Sequence, residues 1–227
     1  IMIRLVLAFF VWIPIADAQA NAQTSADKNV VRTSDDLRIN QIQFVGSHNS
    51  YKKPLSKPVK LLLRLLDPKI FEALDYAHKP LARQLDLGLR KLELDLFYTS
   101  QSNLLPVGHV QLIDMNTHCA TLTSCLMQIR SWSDDNPEHV PIWISFNAKD
   151  QNIRGLPRPE LFDLDAFALM DKVLEDVLGQ RIIRPAQIQS LQWPKLNQAR
   201  GKFILILDEG GSKGEDYYLG AQNLALI

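Results

Sequence analysis

From residue 37 onward the chain settles into regular hydrophobic patterns. Residues 39–45 (INQIQFV) alternate apolar and polar side chains, as a half-buried strand does, and run into Gly46-Ser47-His48-Asn49-Ser50. Between 57 and 79, Leu61, Leu62, Leu65 and Leu66 recur at helical spacing, and Asp67-Pro68 interrupts them, so the pattern predicts a helical excursion broken at the proline. A short helix is expected over 81–87, stopped by Gly88. Residues 91–97 (KLELDLF) alternate strictly and predict a second strand. A third short strand is expected over 104–112, with Gly108-His109 inside it. Residues 119–134 place Leu122, Cys125, Leu126, Ile129 and Trp132 on a helical period that Asn136-Pro137 ends. The nearly all-apolar run 140–146 (VPIWISF) reads as a strand buried on both faces, and 202–207 (KFILIL) as another. Between them a helix spans 164–178 and stops at Gly179.

Strands that alternate with helical stretches indicate βαβ units and a parallel sheet. Five strands are expected. A closed eight-stranded barrel takes ~250 residues, against roughly 200 after position 20. The expected fold is therefore α/β, a TIM-type (β/α) barrel cut short at the C-terminus, with an open doubly wound sheet as the alternative. The start of the chain lies outside this fold. Arg4 precedes an apolar stretch over 5–15 that ends in Ala16-Asp17-Ala18 and Ala18-Gln19-Ala20, the layout of a cleaved secretory signal peptide. A membrane anchor is the other reading, but so short a run falls below the ~30 Å of a bilayer core. The domain layout is then a signal peptide over 1–20, a polar flexible lead-in over 21–36, and one catalytic domain over 37–227. The protein is expected to be secreted or periplasmic.

Composition narrows the partners. Lys plus Arg and Asp plus Glu number 25 each, a net charge of +0, so no overall field attracts nucleic acid or anionic membranes. Cys119 and Cys125, spaced C-x5-C, suit a local disulfide in an oxidising compartment. Two free buried thiols are the other possibility, and zinc lacks a second ligand pair.

The candidate chemistry sits at the carboxyl ends of the expected strands, where α/β folds build their sites. His48 and Asn49 follow the first strand, Glu93 and Asp95 lie in the second, and His109 is near the end of the third. Two apart on a strand, Glu93 and Asp95 point to the same face. Taken singly, each has a bland reading: a hydrogen-bonded loop histidine, or a solvent-facing pair of acids. Together they would converge on one mouth. Adjacent carboxylates are unfavourable unless a cation neutralises them, which points to a hard divalent ion, calcium or magnesium. His78, His118 and His139 read as structural, and Trp132, Trp143 and Trp193 as packing.

Several of these segments resemble the calcium-dependent phosphoinositide phospholipase C family. The string from Phe44 to Tyr51 (FVGSHNSY) looks like its first catalytic motif, and 84–95 (QLDLGLRKLELD) like its second. Gly108-His109-Val110 with Asp114, then 119–132, is similar to the segment around the second histidine in a secreted bacterial branch. Residues 136–141 (NPEHVP) and 146–150 (FNAKD) continue the likeness, which covers about 39–210. The resemblance implies a phosphoric diester hydrolase that cleaves phosphoinositides or related glycerophosphodiester lipids. His48 and His109 would be catalytic: His48 stabilises the phosphate, and His109 is the acid that protonates the leaving oxygen. Asn49, Glu93, Asp95 and Asn147 would hold Ca2+, with Mg2+ as the alternative. Lys149 would contact a substrate phosphate, or else be a solvated strand-end lysine. Asn147 departs from the family, where an acidic ligand is often found, and Asp114 is a candidate to compensate or to cap a turn. The implied partners are a phospholipid substrate and a transient membrane surface, with no nucleic acid and a monomeric state. The alternatives are a glycerophosphodiester phosphodiesterase or sphingomyelinase D-like enzyme, and an inactive secreted lipid-binding module.

Overall fold

The structure, a computed structural model, describes residues 34–220. The signal peptide expected over 1–20 and most of the lead-in fall outside these residues. Each apolar run becomes an element when its neighbours supply a start and a stop. The interrupted leucine segment forms two helices, α1 (Lys57–Leu66) and α2 (Pro68–Leu74). They are divided because Asp67 takes an extended conformation ahead of Pro68 and caps α2, accepting from the Lys69 and Ile70 backbone N–H groups at 3.1 Å. The remaining elements are α3 (Leu81–Asp86), β1 (Lys91–Leu96), α4 (Leu122–Asp135), β2 (Ile142–Ala148), α5 (Leu164–Leu178), α6 (Leu196–Ala199), β3 (Phe203–Leu207) and α7 (Ser212–Gly220). Thr121 and Ser124 close a reciprocal cap at the start of α4. Asp163 caps α5, which ends at Gly179, where φ is 49°.

Among the described residues the three strands form one parallel sheet in the order β1-β2-β3. Register sorts the side chains into two faces. Leu92, Leu94 and Leu96 pair with Ile144, Phe146 and Ala148, and Ile144 and Phe146 pair in turn with Leu205 and Leu207. This face packs on α3, α4, α5 and α7 in the main core. The opposite face changes character along the strands. Trp143 and Ile204, lower down, pack with Ile39, Ile183 and Trp193. Nearer the carboxyl ends the same face carries Glu93 beside Ser145 and Asp95 beside Asn147. Polar side chains are thus gathered where the strands end, and the apolar pairs beneath them form a floor.

Two expected strands do not form. Residues 39–45 begin as a 3₁₀ turn (Ile39–Gln41) and reach the sheet edge only at the single Gly46–Lys91 bridge. Their alternation is satisfied by side-chain packing instead: Phe44 stacks against Trp143 with ring centroids 5.7 Å apart. Residues 104–112 also fail to make a ladder. Pro106 has no N–H to donate, and the chain turns back on itself between Val110 and Asp114 with Leu112 at φ 62°. Five expected strands thus become three among the described residues, in an α/β fold with a parallel sheet and no closed barrel. The Cys119–Cys125 disulfide does form, just before α4.

Candidate active site

The segment Ser47–Lys52 is held against the end of β1 by its small polar residues. Ser47 N–H donates to the Lys91 carbonyl, Ser50 N–H to the Glu93 carbonyl, and Glu93 N–H returns to Ser50 Oγ at 2.8 Å. Gln84 of α3 reaches under the loop and donates to the Ser50 carbonyl at 2.7 Å. Gly46 is required by this closeness, because a Cβ there would lie 2.6 Å from Lys91 Cβ. The loop then bends at Asn49, whose φ of 50° is a left-handed value that asparagine tolerates. The bend buries Asn49 completely and leaves the His48 side chain 71% exposed. His78 Nε2 donates to the His48 carbonyl at 2.8 Å, so this histidine supports the loop and has a structural role, as expected.

Asn49, Glu93, Asp95 and Asn147 come together. Asn147 Nδ2 lies 3.4 Å from Glu93 Oε1 and 3.2 Å from Asp95 Oδ1. The Tyr51 hydroxyl stands 2.9 Å from Asp95 Oδ2 and 3.2 Å from Asn49 Oδ1. Asn49 Nδ2 donates to the Tyr76 hydroxyl at 2.6 Å. His48 Nε2 faces Glu93 Oε1 at 3.4 Å. Burial, and then the charge of Asp95, push the Tyr51 hydroxyl far up, so it stays protonated and serves as a donor. Burial raises Tyr76 as well. Both carboxylates are buried, and each has a cation in contact: Lys91 Nζ lies 2.6 Å from Glu93 Oε2, and Lys149 Nζ 3.0 Å from Asp95 Oδ2.

Among the described residues no group of three or more His, Cys, Asp or Glu side chains is placed to hold a metal ion. Glu93 and Asp95 are the carboxylates in contact with Asn147, and a cation would also need the amide oxygens of Asn49 and Asn147. Those four side chains fit a hard oxygen-seeking ion such as calcium, which takes 6–8 oxygen ligands and accepts water for the remainder. The donors now turned on the carboxylates, two ammonium groups and an amide, mark a place built to hold positive charge. Lys91 and Lys149 are about one-third exposed and have long stems, so both can swing aside.

His109 has Asp114, rather than Glu93 or Asp95, as its side-chain partner, at 3.1 Å. It lies in the turn after Gly108, which the tip of the Met115 side chain covers. His109 lines a cavity of about 180 Å³ with Phe97, Val110, Lys149, Ile153 and Leu156. The cavity touches neither His48 nor the carboxylates. Lys149 is the link, reaching Asp95 on one side and lining the cavity on the other. Asp114, considered above as an extra metal ligand or a cap, is neither. Its side chain is buried against His109 and Lys52. Sequence reading missed Lys52, Tyr51, Tyr76 and Lys91 as parts of the site. Tyr51 and Lys91 were visible only as letters in the motifs, and nothing local marked Lys52.

Residues 37–105 and 99–226 match the family described as phosphoinositide phospholipase C, Ca2+-dependent. A comparison with curated proteins gave no match. Among solved structures, the chain is similar to the apo calcium-dependent phosphoinositol-specific phospholipase C of a Gram-negative Pseudomonas species. The TM-score is 0.59 at 17% identity, with 86% of this chain and 67% of that one covered. A second structure of that Pseudomonas protein, described as a myoinositol complex, gives 0.53 at 20% identity, covering 77% and 58%. The phosphatidylinositol-specific phospholipase C of Listeria monocytogenes gives 0.53 at 16% identity, covering 77% and 54%. The chain thus spans between about half and two thirds of the length of these structures, and it belongs to the calcium-dependent phosphoinositide phospholipase C family.

Proposed function

We propose that the protein is a phosphoric diester hydrolase that cleaves phosphoinositides or related glycerophosphodiester lipids, on a (β/α) barrel of which β1–β3 form part. The observation that carries this reading is the placement of Lys149 between Asp95 and the cavity that His109 lines. A phosphate seated there would meet cationic and hydrogen-bonding groups on one side and a proton donor on the other.

In this reading His48, exposed and facing Glu93, donates to a phosphate oxygen. Glu93, Asp95 and the amide oxygens of Asn49 and Asn147 would hold calcium, which would offset the phosphate charge and acidify the attacking inositol 2-hydroxyl, whose proton passes to water as its oxygen bonds to phosphorus. Asn147 can take part because a half-turn of its amide exchanges the donor for the oxygen. Lys149 leaves Asp95 for the substrate phosphate, and His109 protonates the departing diacylglycerol oxygen, leaving a cyclic inositol phosphate. The protein works as an exported monomer, secreted or periplasmic, with no nucleic-acid partner. The Cys119–Cys125 disulfide supports export, because such bonds persist in oxidising compartments. Contact with a lipid surface is supported by α1, where Leu61, Leu62, Leu65 and Leu66 are all more than half exposed. Among the described residues no helix is long and apolar enough to cross a membrane.

The test is hydrolysis of phosphatidylinositol vesicles by the full-length protein with calcium, magnesium or chelator. Calcium-dependent release of cyclic inositol phosphate is expected, falling at least about 100-fold in His48→Ala and in His109→Ala. Absence of turnover with either metal, on this lipid and on simple glycerophosphodiesters, would overturn the reading.

A further inference from the structure

Outside the cluster of presumed metal ligands lies a second charged assembly that the mechanism above leaves unused. Lys52 Nζ and Asp114 Oδ2 form an ion pair in which each side chain is only 1% exposed. Such burial is costly unless the geometry returns it, and removing one partner alone strands a charge. The same Asp114 Oδ2 lies 3.1 Å from His109 Nδ1, while Oδ1 is buried without a hydrogen-bond partner among the described residues. One carboxylate oxygen thus faces both the Lys52 ammonium and the His109 ring. The backbone enforces this: the His109 and Val110 N–H groups donate to the Asp114 carbonyl, and Asp114 N–H donates back to the Val110 carbonyl at 2.8 Å. Lys52 belongs to the loop that carries His48 and Asn49, and its N–H donates to the Asn49 carbonyl at 3.0 Å.

We infer that Lys52 and Asp114 are positioning residues for His109. Resting on the reading of His109 as the acid, the assignment has two parts. Asp114 accepts from Nδ1–H and so fixes the ring in one tautomer, with proton exchange confined to Nε2. Lys52 neutralises Asp114 in place and ties the turn bearing His109 to the loop bearing His48, so that the two histidine segments keep one spacing. No bond is made or broken at either residue. Their effect is on where the His109 proton resides and where the ring points.

Single removal of either charge invites misfolding, so the first variant removes both, Lys52→Met with Asp114→Leu, since an apolar pair of similar size replaces a buried ion pair without stranding a charge. The conservative pair is Lys52→Met with Asp114→Asn, which strands no charge and whose amide oxygen can stand where Oδ2 stands and accept from Nδ1–H. Ring-nitrogen NMR of His109 is the primary readout and needs no turnover. The neutral ring should be the Nδ1–H tautomer in the native protein and in the conservative pair, and a mixture in the apolar double variant. With phosphatidylinositol, the apolar double variant should lose at least about 100-fold in kcat with little change in KM. It should lose far less on an aryl phosphodiester whose leaving group needs no proton. An Nε2–H tautomer in the native protein, an unchanged tautomer in the apolar double variant, or equal losses on the two substrates would each overturn the inference. A native protein that turns over neither lipid nor ester would instead overturn the proposed function, and the tautomer measurement would still decide this one.

Discussion

Lys91 and Lys149 hold the charge of two buried carboxylates, Glu93 at 2.6 Å and Asp95 at 3.0 Å. The spacing of Glu93 and Asp95 puts both carboxylates on one face of β1, because alternation in a regular strand is purely geometric. The company they keep was not legible. Lys91 is the alternating partner two positions earlier, yet Lys149, Tyr51 and Asn147 come from segments that only the fold brings near. Asp114 shows the same limit: five residues after His109 it was visible as an acid, but its real neighbour, Lys52, is 62 residues away. One prediction belongs here. Because Lys91 and Lys149 already neutralise the carboxylates, metal-free protein carries no unrelieved like-charge repulsion at this point. Chelator should therefore shift the midpoint of thermal unfolding by no more than a few degrees, measured by calorimetry at low calcium. A collapse of the fold on chelation would mean that the lysines do not hold the charge.

At the scale of elements, sequence reading succeeded where local signals were complete. The bounds of α5 agree residue for residue because Asp163 caps one end and Gly179 the other. The break at Pro68 and the stop at Gly88 follow from backbone chemistry alone. Residues 39–45, which form no strand, have the right alternation, but a strand also needs a partner with free edge groups along its length. A period of two reports burial, and burial came from Trp143 and Trp193 rather than from a ladder. The docking of α7 on α5 supplies a testable element. Asp171 of α5 accepts from the Tyr217 hydroxyl of α7 at 2.9 Å, and burial pushes its carboxyl up to about 6. A folded-state value raised above the unfolded one contributes stability fully at low pH and loses it as pH rises through about 6. Between pH 4 and pH 6.5 this group should lower stability by at most about 3 kcal/mol. Urea unfolding across that range should show a decline that Asp171→Asn flattens. His139 works in the opposite sense. Burial lowers it between Ser133 and Val140, so its contribution is lost as pH falls below the ordinary histidine range.

For the whole molecule, the pattern of faces matters more than the number of strands. One face of the sheet is continuous core; the other is apolar beneath and polar at the carboxyl ends, which sets the chemistry at a mouth rather than in the interior. The α1–α2 pair leaves and rejoins the molecule at that mouth. The chain departs after Lys52 and returns at Tyr76, which meets Asn49, and at His78, which holds the His48 carbonyl. Outward from these stitches, Leu61, Leu62, Leu65 and Leu66 share one side of α1, with Lys57 and Arg64 also exposed nearby. An enzyme resting on such a face meets its substrate in two dimensions. Its rate then follows the mole fraction of substrate in the sheet of lipid, not the amount in the tube. Diluting phosphatidylinositol with inert phosphatidylcholine at constant bulk substrate should slow the native protein, and Leu62→Glu with Leu65→Glu should abolish that sensitivity along with vesicle binding while sparing a soluble diester. Rates indifferent to dilution in the native protein would mean that molecules arrive one at a time from solution and that the leucines face something else.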